Sequence, residues 1–425
     1  MTNSNHPFQL PTRDLGHGDS ATPREASSQS RHPRRPFQVP RGGYQVDDPT
    51  QFSMQKFAMA ENLNRAYTQL IREGGPAAGL DGIRPADLSS RERWGLLRMI
   101  SQALISGTYR PYPSRVVKIP RRDDRVRMLH IMNVTDRCVA KALLNCLTDF
   151  WSRQRISMSV WQVYRALSRE IRRRGVYYLA IDDIRDCFPS APLDEVIRCQ
   201  RHFVHSEPLL QLIARVIRYQ DGAGQIGLEQ GSPYSPVAMD ALLHLYLDRV
   251  MMTREQGRGI LLRYVDNLTF ICRNAGEGLR LVEVAKECLN PLNLKLKGQQ
   301  SCHGDLRDQH FQTPLLGLIP RWENDRLTFK IPESAFNDLE TRLQMSSASI
   351  SPPRDAESCF KGWIEARSPA LTNRVAQSTS HRISQLAVKY GFRSLTRSTL
   401  NTWCHLARRR WDQFLKEADS NHRES

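Results

Sequence analysis

The sequence predicts an α+β protein. Helices come first, a basic hairpin follows, a sheet with interleaved helices fills the middle, and helices close the chain. Three observations carry this expectation. Apolar residues recur at helical spacing from Met54 to Ile71, and the chain turns mostly helical again after residue 332. Residues 113–131 read as strand, charged turn, strand. In the middle, β-rich runs over 177–184 and 260–272 each bring an aspartate to a strand end.

The elements follow in order. Residues 1–45 are rich in Ser, Pro, Arg, His and Gly, show no apolar period, and read as a disordered basic tail. Met54, Phe57, Leu63, Tyr67 and Leu70 mark a first helical region, stopped by Gly74-Gly75. A turn, Gly79-Leu80-Asp81-Gly82-Ile83, leads to a helix over about 90–106. The hairpin has strands at 115–119 and 126–131 around a charged turn, and an apolar helix follows over 134–152. A helix starts after Pro192, and another spans about 235–252. Strands at 260–265 and 268–272 flank Asp266-Asn267, which reads as the hairpin turn. A helix over 276–289 and short strands near 293–297 and 314–319 complete the middle. The end is basic, at Arg408-Arg409-Arg410. There is no internal repeat.

The charge narrows the partners. Lys and Arg total 61 against 44 Asp and Glu, a net +17. An excess of this size favours an anionic partner, nucleic acid first and an acidic membrane surface second. None of the nine cysteines falls in a CxxC pair, so a zinc ribbon is not expected, and free thiols fit a reducing compartment. No stretch is long and apolar enough to span a bilayer, and the N-terminus carries no apolar signal region, so the expected location is cytoplasmic with no membrane partner.

The residues that carry chemistry are two separated aspartates at strand ends, Asp183 and Asp266. Either one alone reads as a turn cap. Together, on strands that a sheet can bring side by side, they suit phosphoryl transfer, which uses two Mg²⁺ ions about 3.5–4 Å apart held by hard oxygen ligands. Between them lies Gly227-Leu228-Glu229-Gln230-Gly231-Ser232-Pro233-Tyr234-Ser235-Pro236, a tight loop before a helix that lets backbone approach a nucleotide or template. Arg115, Lys118, Arg121, Arg122, Arg125 and Arg127 crowd the early hairpin, where guanidinium forks could grip a triphosphate. A charge run is usually a solvated face; the downstream aspartates reverse that reading here.

Taken together, these segments resemble the reverse transcriptases of bacterial retroelements, of the group II intron type. The resemblance runs from about residue 52 to 320. It rests on Glu61-Asn62-Leu63 to Gly79-Leu80-Asp81-Gly82-Ile83; on Ile119-Pro120-Arg121 to Arg127-Met128-Leu129 with Thr135-Asp136-Arg137; and on Asp183-Ile184 with Phe188-Pro189-Ser190. It continues through Gln230-Gly231-Ser232-Pro233, Tyr264-Val265-Asp266-Asn267, Asn293-Leu294-Lys295-Leu296-Lys297, and Leu315-Leu316-Gly317, which is similar to a primer grip.

The resemblance implies a right-hand polymerase: fingers and palm over 46–325, the palm an antiparallel sheet with helices, then a helical thumb over 326–425. It implies an RNA-directed DNA polymerase, a nucleotidyltransferase, with two Mg²⁺ ions or Mn²⁺ in their place. Asp183, Asp266 and the Ile184 carbonyl would hold the metals. Lys118, Arg121, Arg127, Phe188, Gln230, Gly231, Tyr264, Asn267 and Lys295 would contact substrate, with Phe188 as the gate against a ribose 2′-hydroxyl. Asp182 rivals Asp183, but the Phe-Pro-Ser register favours Asp183. The implied partners are an RNA template, a DNA or RNA primer, deoxynucleoside triphosphates and, in a domesticated enzyme of antiphage defence, a dedicated non-coding RNA. The box departs from the family by Asn267 in place of a second aspartate, and no nuclease module is expected downstream. The alternatives are a non-catalytic, maturase-like RNA-binding splicing factor and an untemplated or protein-primed DNA polymerase.

Overall fold

The computed structural model describes residues 43–73, 77–120, 126–154, 156–255, 259–298, 302–347 and 352–423. The expected tail falls, up to residue 42, outside the described residues, and so do Arg121, Arg122 and Arg125.

The first layer is helical, with α1 (Met54–Phe57), α2 (Ala60–Glu73) and α3 (Ser90–Ile105). A capping box starts α3: the Ser89 hydroxyl accepts from the Glu92 N–H and the Glu92 carboxylate accepts from the Ser89 N–H. The basic hairpin is β1 (Arg115–Pro120) antiparallel to β2 (Val126–Ile131). Helix α4 (Val134–Gln154) is buried on nearly every side, its Asp136, Arg137, Lys141 and Asp149 included. Gly79 docks on its start, where a Cβ would stand 2.3 Å from Asn133 Oδ1.

The central sheet is built on β3 (Tyr178–Arg185), reached through α5 (Val160–Arg174). Helices α6 (Leu193–Phe203), α7 (Glu207–Val216) and α8 (Ser235–Leu243) follow, then a π-helical turn over His244–Asp248 and α9 (Arg249–Glu255). The hairpin β4 (Ile260–Tyr264) and β5 (Asn267–Cys272) precedes α10 (Ala275–Leu289), β6 (Lys295–Leu296) and β7 (His303–Asp305). The strand order is β4-β5-β3-β6, with β7 also on β3, and every pairing is antiparallel.

This sheet separates two cores, and the alternation of side chains decides what each face holds. Ala180 and Ile184 of β3 join Leu268 and Phe270 of β5 in one core. Leu179 and Ile181 join Leu262 and Ile271 in the other. On that second face Asp183 is the next residue after Ile181, where the apolar cover ends.

A second hairpin, β8 (Ile319–Glu323) with β9 (Arg326–Lys330), leads to α11 (Glu333–Ser347), α12 (Pro352–Ala366), α13 (Asn373–Lys389) and α14 (Arg397–Arg423). The turn of this hairpin contains residue 325, so the helical segment starts at Glu333 rather than at 326. These helices pack around their own core of Leu339, Phe360, Trp363, Ile383 and Leu400. The far part of α14 returns to the sheet region: Trp411 and Phe414 meet Trp161 of α5 at 5.6 and 5.4 Å between ring centroids. The basic hairpin, antiparallel sheet with helices and helical end make up the right-hand polymerase architecture.

Candidate active site

Strand register assembles the site. Asp183 pairs with Asn267, and Asn267 pairs with Tyr264 on its other side. Cross-strand partners share a face, so Tyr264, Asn267 and Asp183 form one row across β4, β5 and β3. Asp266 sits in the turn beside them, and its carbonyl accepts from the Ile184 N–H at 2.9 Å. Two aspartates 83 positions apart are thereby brought to one end of the sheet.

The turn differs from the sequence expectation. Its two residues are Val265 and Asp266, and Asn267 belongs to β5. Val265 takes a left-handed φ of 52°, an uncommon conformation for a β-branched residue. Buried Arg263 holds this turn from behind, donating to the Val265 carbonyl at 3.0 Å. The same guanidinium is ion-paired to Asp240 on α8 and to Asp248 in the π-helical turn, and it donates to the Ile156 carbonyl. A buried arginine satisfied on so many sides fixes the hairpin's geometry.

Asp183 is held by two donors. Asn267 Nδ2 donates to Oδ1 at 2.7 Å, and Lys297 Nζ donates to Oδ2 at 2.6 Å. Burial, and then the neighbouring Asp183 carboxylate, push the Asp266 pKa upward; Lys297 and Arg127 oppose that rise. Burial likewise raises the Tyr264 pKa, with the Asp240 and Asp266 charges adding to it. Asp182 points into the other face and is buried, its carboxylate taken by the Gly298 and Asp183 N–H groups. Of the two, Asp183 lies on the open face and Asp182 does not.

The other expected contacts divide. Arg127 Nε donates to Gln230 Oε1 at 2.9 Å, and the His130 N–H donates to the Gln230 carbonyl at 2.7 Å. Gly231 has φ 122°, and a Cβ there would stand 2.3 Å from the His130 carbonyl oxygen, so loop and hairpin strand lie in close contact. Glu229 adds an ion pair to Arg218 and a hydrogen bond from Ser114. Phe188 is half-buried, and its carbonyl accepts from the Leu228 N–H, tying it to the same loop. Lys118 is exposed on β1, and Arg121 lies outside the described residues. Lys295 is exposed opposite Arg185, one step beyond the site, whereas Lys297 reaches Asp183. Sequence reading missed Lys297 and Arg263. The two lysines differ only in position along one strand, and the partners of Arg263 lie on distant helices.

The donor set suits a hard divalent ion. The Asp183 and Asp266 carboxylates offer oxygen donors, and their mutual repulsion would be relieved by a cation. Among the described residues no group of three or more His, Cys, Asp or Glu forms that could hold a metal on its own. Further ligands would come from backbone carbonyls, water and substrate phosphate, the usual pattern for Mg²⁺.

Residues 119–304 match the family model described as reverse transcriptase (RNA-dependent DNA polymerase). Protein YkfC of Escherichia coli K12 is 33% identical over 86 residues, covering 20% of this chain and 22% of that protein. The putative COX1/OXI3 intron 1 protein of Saccharomyces cerevisiae is 23% identical over 168 residues, covering 35% of this chain and 19% of that protein. The chain thus spans about a fifth of the length of each of these relatives. Among solved structures, apo telomerase of Candida tropicalis aligns with 51% of this chain and 55% of its own at a TM-score of 0.36 and 14% identity. Telomerase of Candida albicans, solved with a fragment of telomeric RNA, aligns with 70% and 62% at 0.38 and 10%. Residues 119–304, which hold both aspartates, are thus the stretch that is similar to the reverse transcriptase (RNA-dependent DNA polymerase) domain.

Proposed function

We propose that this chain extends a primer on an RNA template with deoxynucleotides, using two Mg²⁺ ions held by Asp183, Asp266 and the Ile184 carbonyl. The observation that carries the reading is the register that sets Asp183 opposite Asn267 and Asp266 beside them, inside the matched domain. When bound, the ions lower the pKa of the primer 3′-hydroxyl and screen the charge developing on the triphosphate.

The protein's own groups supply positioning. Arg127, with Lys118 and Arg121 on the same hairpin, grips phosphate oxygens. The contact of Arg127 with Gln230 ties that hairpin to the loop that lies under the nucleotide and template. Phe188 blocks a ribose 2′-hydroxyl, and Tyr264 and Asn267 line the row beside Asp183. Lys297 offsets the charge of Asp183 while the site is open. Lys295, one pair further out, reaches the backbone of the bound strand.

No helix among the described residues is long and apolar enough to cross a membrane. The setting we propose is the cytoplasm of a bacterium, in antiphage defence with a dedicated RNA. Asn267 favours a second reading, a maturase-like RNA-binding protein without catalysis, because a neutral amide replaces one carboxylate. Primed RNA, labelled deoxynucleotides and Mg²⁺ separate the two. Template-dependent incorporation supports the polymerase, and tight RNA binding without incorporation supports the splicing factor. Incorporation without any template would instead support untemplated synthesis.

A further inference from the structure

A position where glycine is the usual choice carries an arginine. Helix α7 ends on a left-handed residue. The Tyr219 N–H donates to the Ala214 carbonyl at 2.8 Å, the Arg218 N–H donates to the Arg215 carbonyl at 3.1 Å, and Arg218 itself has φ 61°. Helices that stop this way do so mostly on glycine, because a Cβ is strained there. The guanidinium gains little for itself: its Nε and Nη2 are buried and make no hydrogen bond among the described residues. A strained backbone carrying an under-satisfied cation points to a task for the side chain elsewhere.

That side chain bridges two carboxylates. Nη1 donates to Glu229 Oε1 at 2.8 Å, and Nη2 lies 3.9 Å from Asp136 Oδ2. Asp136, at the start of α4, is fully buried and also accepts from the Tyr109 hydroxyl at 2.9 Å and the Tyr112 N–H at 2.8 Å. Burial pushes its pKa up; the Tyr109 and Tyr112 donors and the Arg218 charge oppose that rise, and the Glu229 charge adds to it. Glu229 touches the hairpin on both strands. It accepts from Ser114 Oγ at 2.9 Å, just before β1, and lies 3.5 Å from His130 Nδ1 on β2. A ring thus runs from Asp136 through residues 109–114 to Glu229 and back through Arg218. Without the guanidinium, two mutually repelling carboxylates lose the cation between them, one of them out of water.

We infer that Arg218 is a positioning residue for the incoming deoxynucleoside triphosphate. It anchors Glu229, and the next residue, Gln230, meets Arg127 through its side chain and His130 through its carbonyl. Hairpin and loop are thereby held as one wall, with Arg127 at a fixed place in it. Arg218 acts through Glu229 and Gln230 rather than on the nucleotide itself. The identity of the ligand rests on the polymerase reading; the ring rests on the geometry above.

Single-nucleotide incorporation by the full chain on primed RNA with Mg²⁺ tests this. Arg218→Gly removes the guanidinium without straining the backbone, and thermal unfolding confirms that it is folded. Its KM for the deoxynucleotide should rise about tenfold, with kcat lowered by less than about threefold and affinity for primed RNA unchanged. A merely structural loss would lower the active fraction and leave KM where it was. Arg218→Lys should recover part of the rise, since it keeps the charge but not the fork. Adding Glu229→Gln to Arg218→Gly should also recover part, because a neutral amide removes the repulsion with Asp136. A folded Arg218→Gly with the wild-type KM, or a loss that neither second change recovers, overturns the positioning role and leaves the polymerase reading standing. Should Arg218→Gly not fold, Ser114→Ala opens the ring at its far end and decides: KM should rise about threefold, and an unchanged KM overturns the role. A wild type that incorporates nothing overturns both.

Discussion

The Asn267 side-chain amide donates to the Asp183 carboxylate at 2.7 Å, across the strand pair that joins the two halves of the site. An amide at this position relieves repulsion that an aspartate would create. Asn267→Asp should therefore lower stability by about 1–2 kcal/mol in chelator, because it puts a third carboxylate against Asp183 and Asp266. Millimolar Mg²⁺ should restore the loss, and incorporation should stay level or rise. Thermal unfolding with and without Mg²⁺ checks this. A loss that Mg²⁺ leaves unchanged would contradict the assignment of Asp183 as a metal ligand.

The buried network behind the hairpin predicts a pH dependence. Burial pushes the Asp240 pKa up to about 6, against the partial offset of Arg263. A carboxyl whose folded-state pKa is raised contributes stability that is full below its unfolded pKa, and that stability is lost as pH rises through the folded value. Unfolding free energy should thus decline between about pH 4 and pH 6.5, and Asp240→Asn should flatten that decline. Urea titrations across that range measure it; equal slopes in both proteins would rule Asp240 out as the source.

Gly231 is predicted to tolerate no side chain. Gly231→Ala sets a Cβ against the His130 carbonyl oxygen at a φ that alanine avoids. The loop carrying Gln230 must then shift from the hairpin strand, and incorporation should drop by about a hundredfold while the melting point changes little. Single-turnover incorporation kinetics give the answer. An alanine variant of unaltered rate would remove the loop from the nucleotide site.

Phe188 should set sugar selectivity. Phe188→Ala should raise the use of ribonucleotides relative to deoxynucleotides by roughly 10–100-fold, because an apolar wall rejects the 2′-hydroxyl by occupying its space. Competing the two triphosphates on one primed template reads the ratio directly, and an unchanged ratio would assign the gate elsewhere.

Much of this was legible in the sequence because it depends on local pattern. The register of Phe188-Pro189-Ser190 favoured Asp183 over Asp182, and the β4–β5 hairpin was visible from its apolar strands. The turn was misplaced by one residue because Asp-Asn is ordinary turn chemistry, whereas here the Asn267 amide is drawn into the strand by Asp183. Helix α5 was overlooked because Arg169, Arg172, Arg173 and Arg174 mask the apolar spacing of Val163, Tyr164, Leu167 and Ile171. The partners of Arg263 depend on contacts between distant segments, which no local pattern records. Lys295, the candidate, and Lys297, which was missed, share a face, and only the sheet register shows which one meets Asp183.

The most direct measurement compares primer extension with RNA binding in Asp266→Ala. Removing that carboxylate should cut deoxynucleotide incorporation by at least about a hundredfold, while affinity for primed RNA stays near that of the wild type. Incorporation that persists, or that falls only in step with binding, would contradict a catalytic role for the paired aspartates.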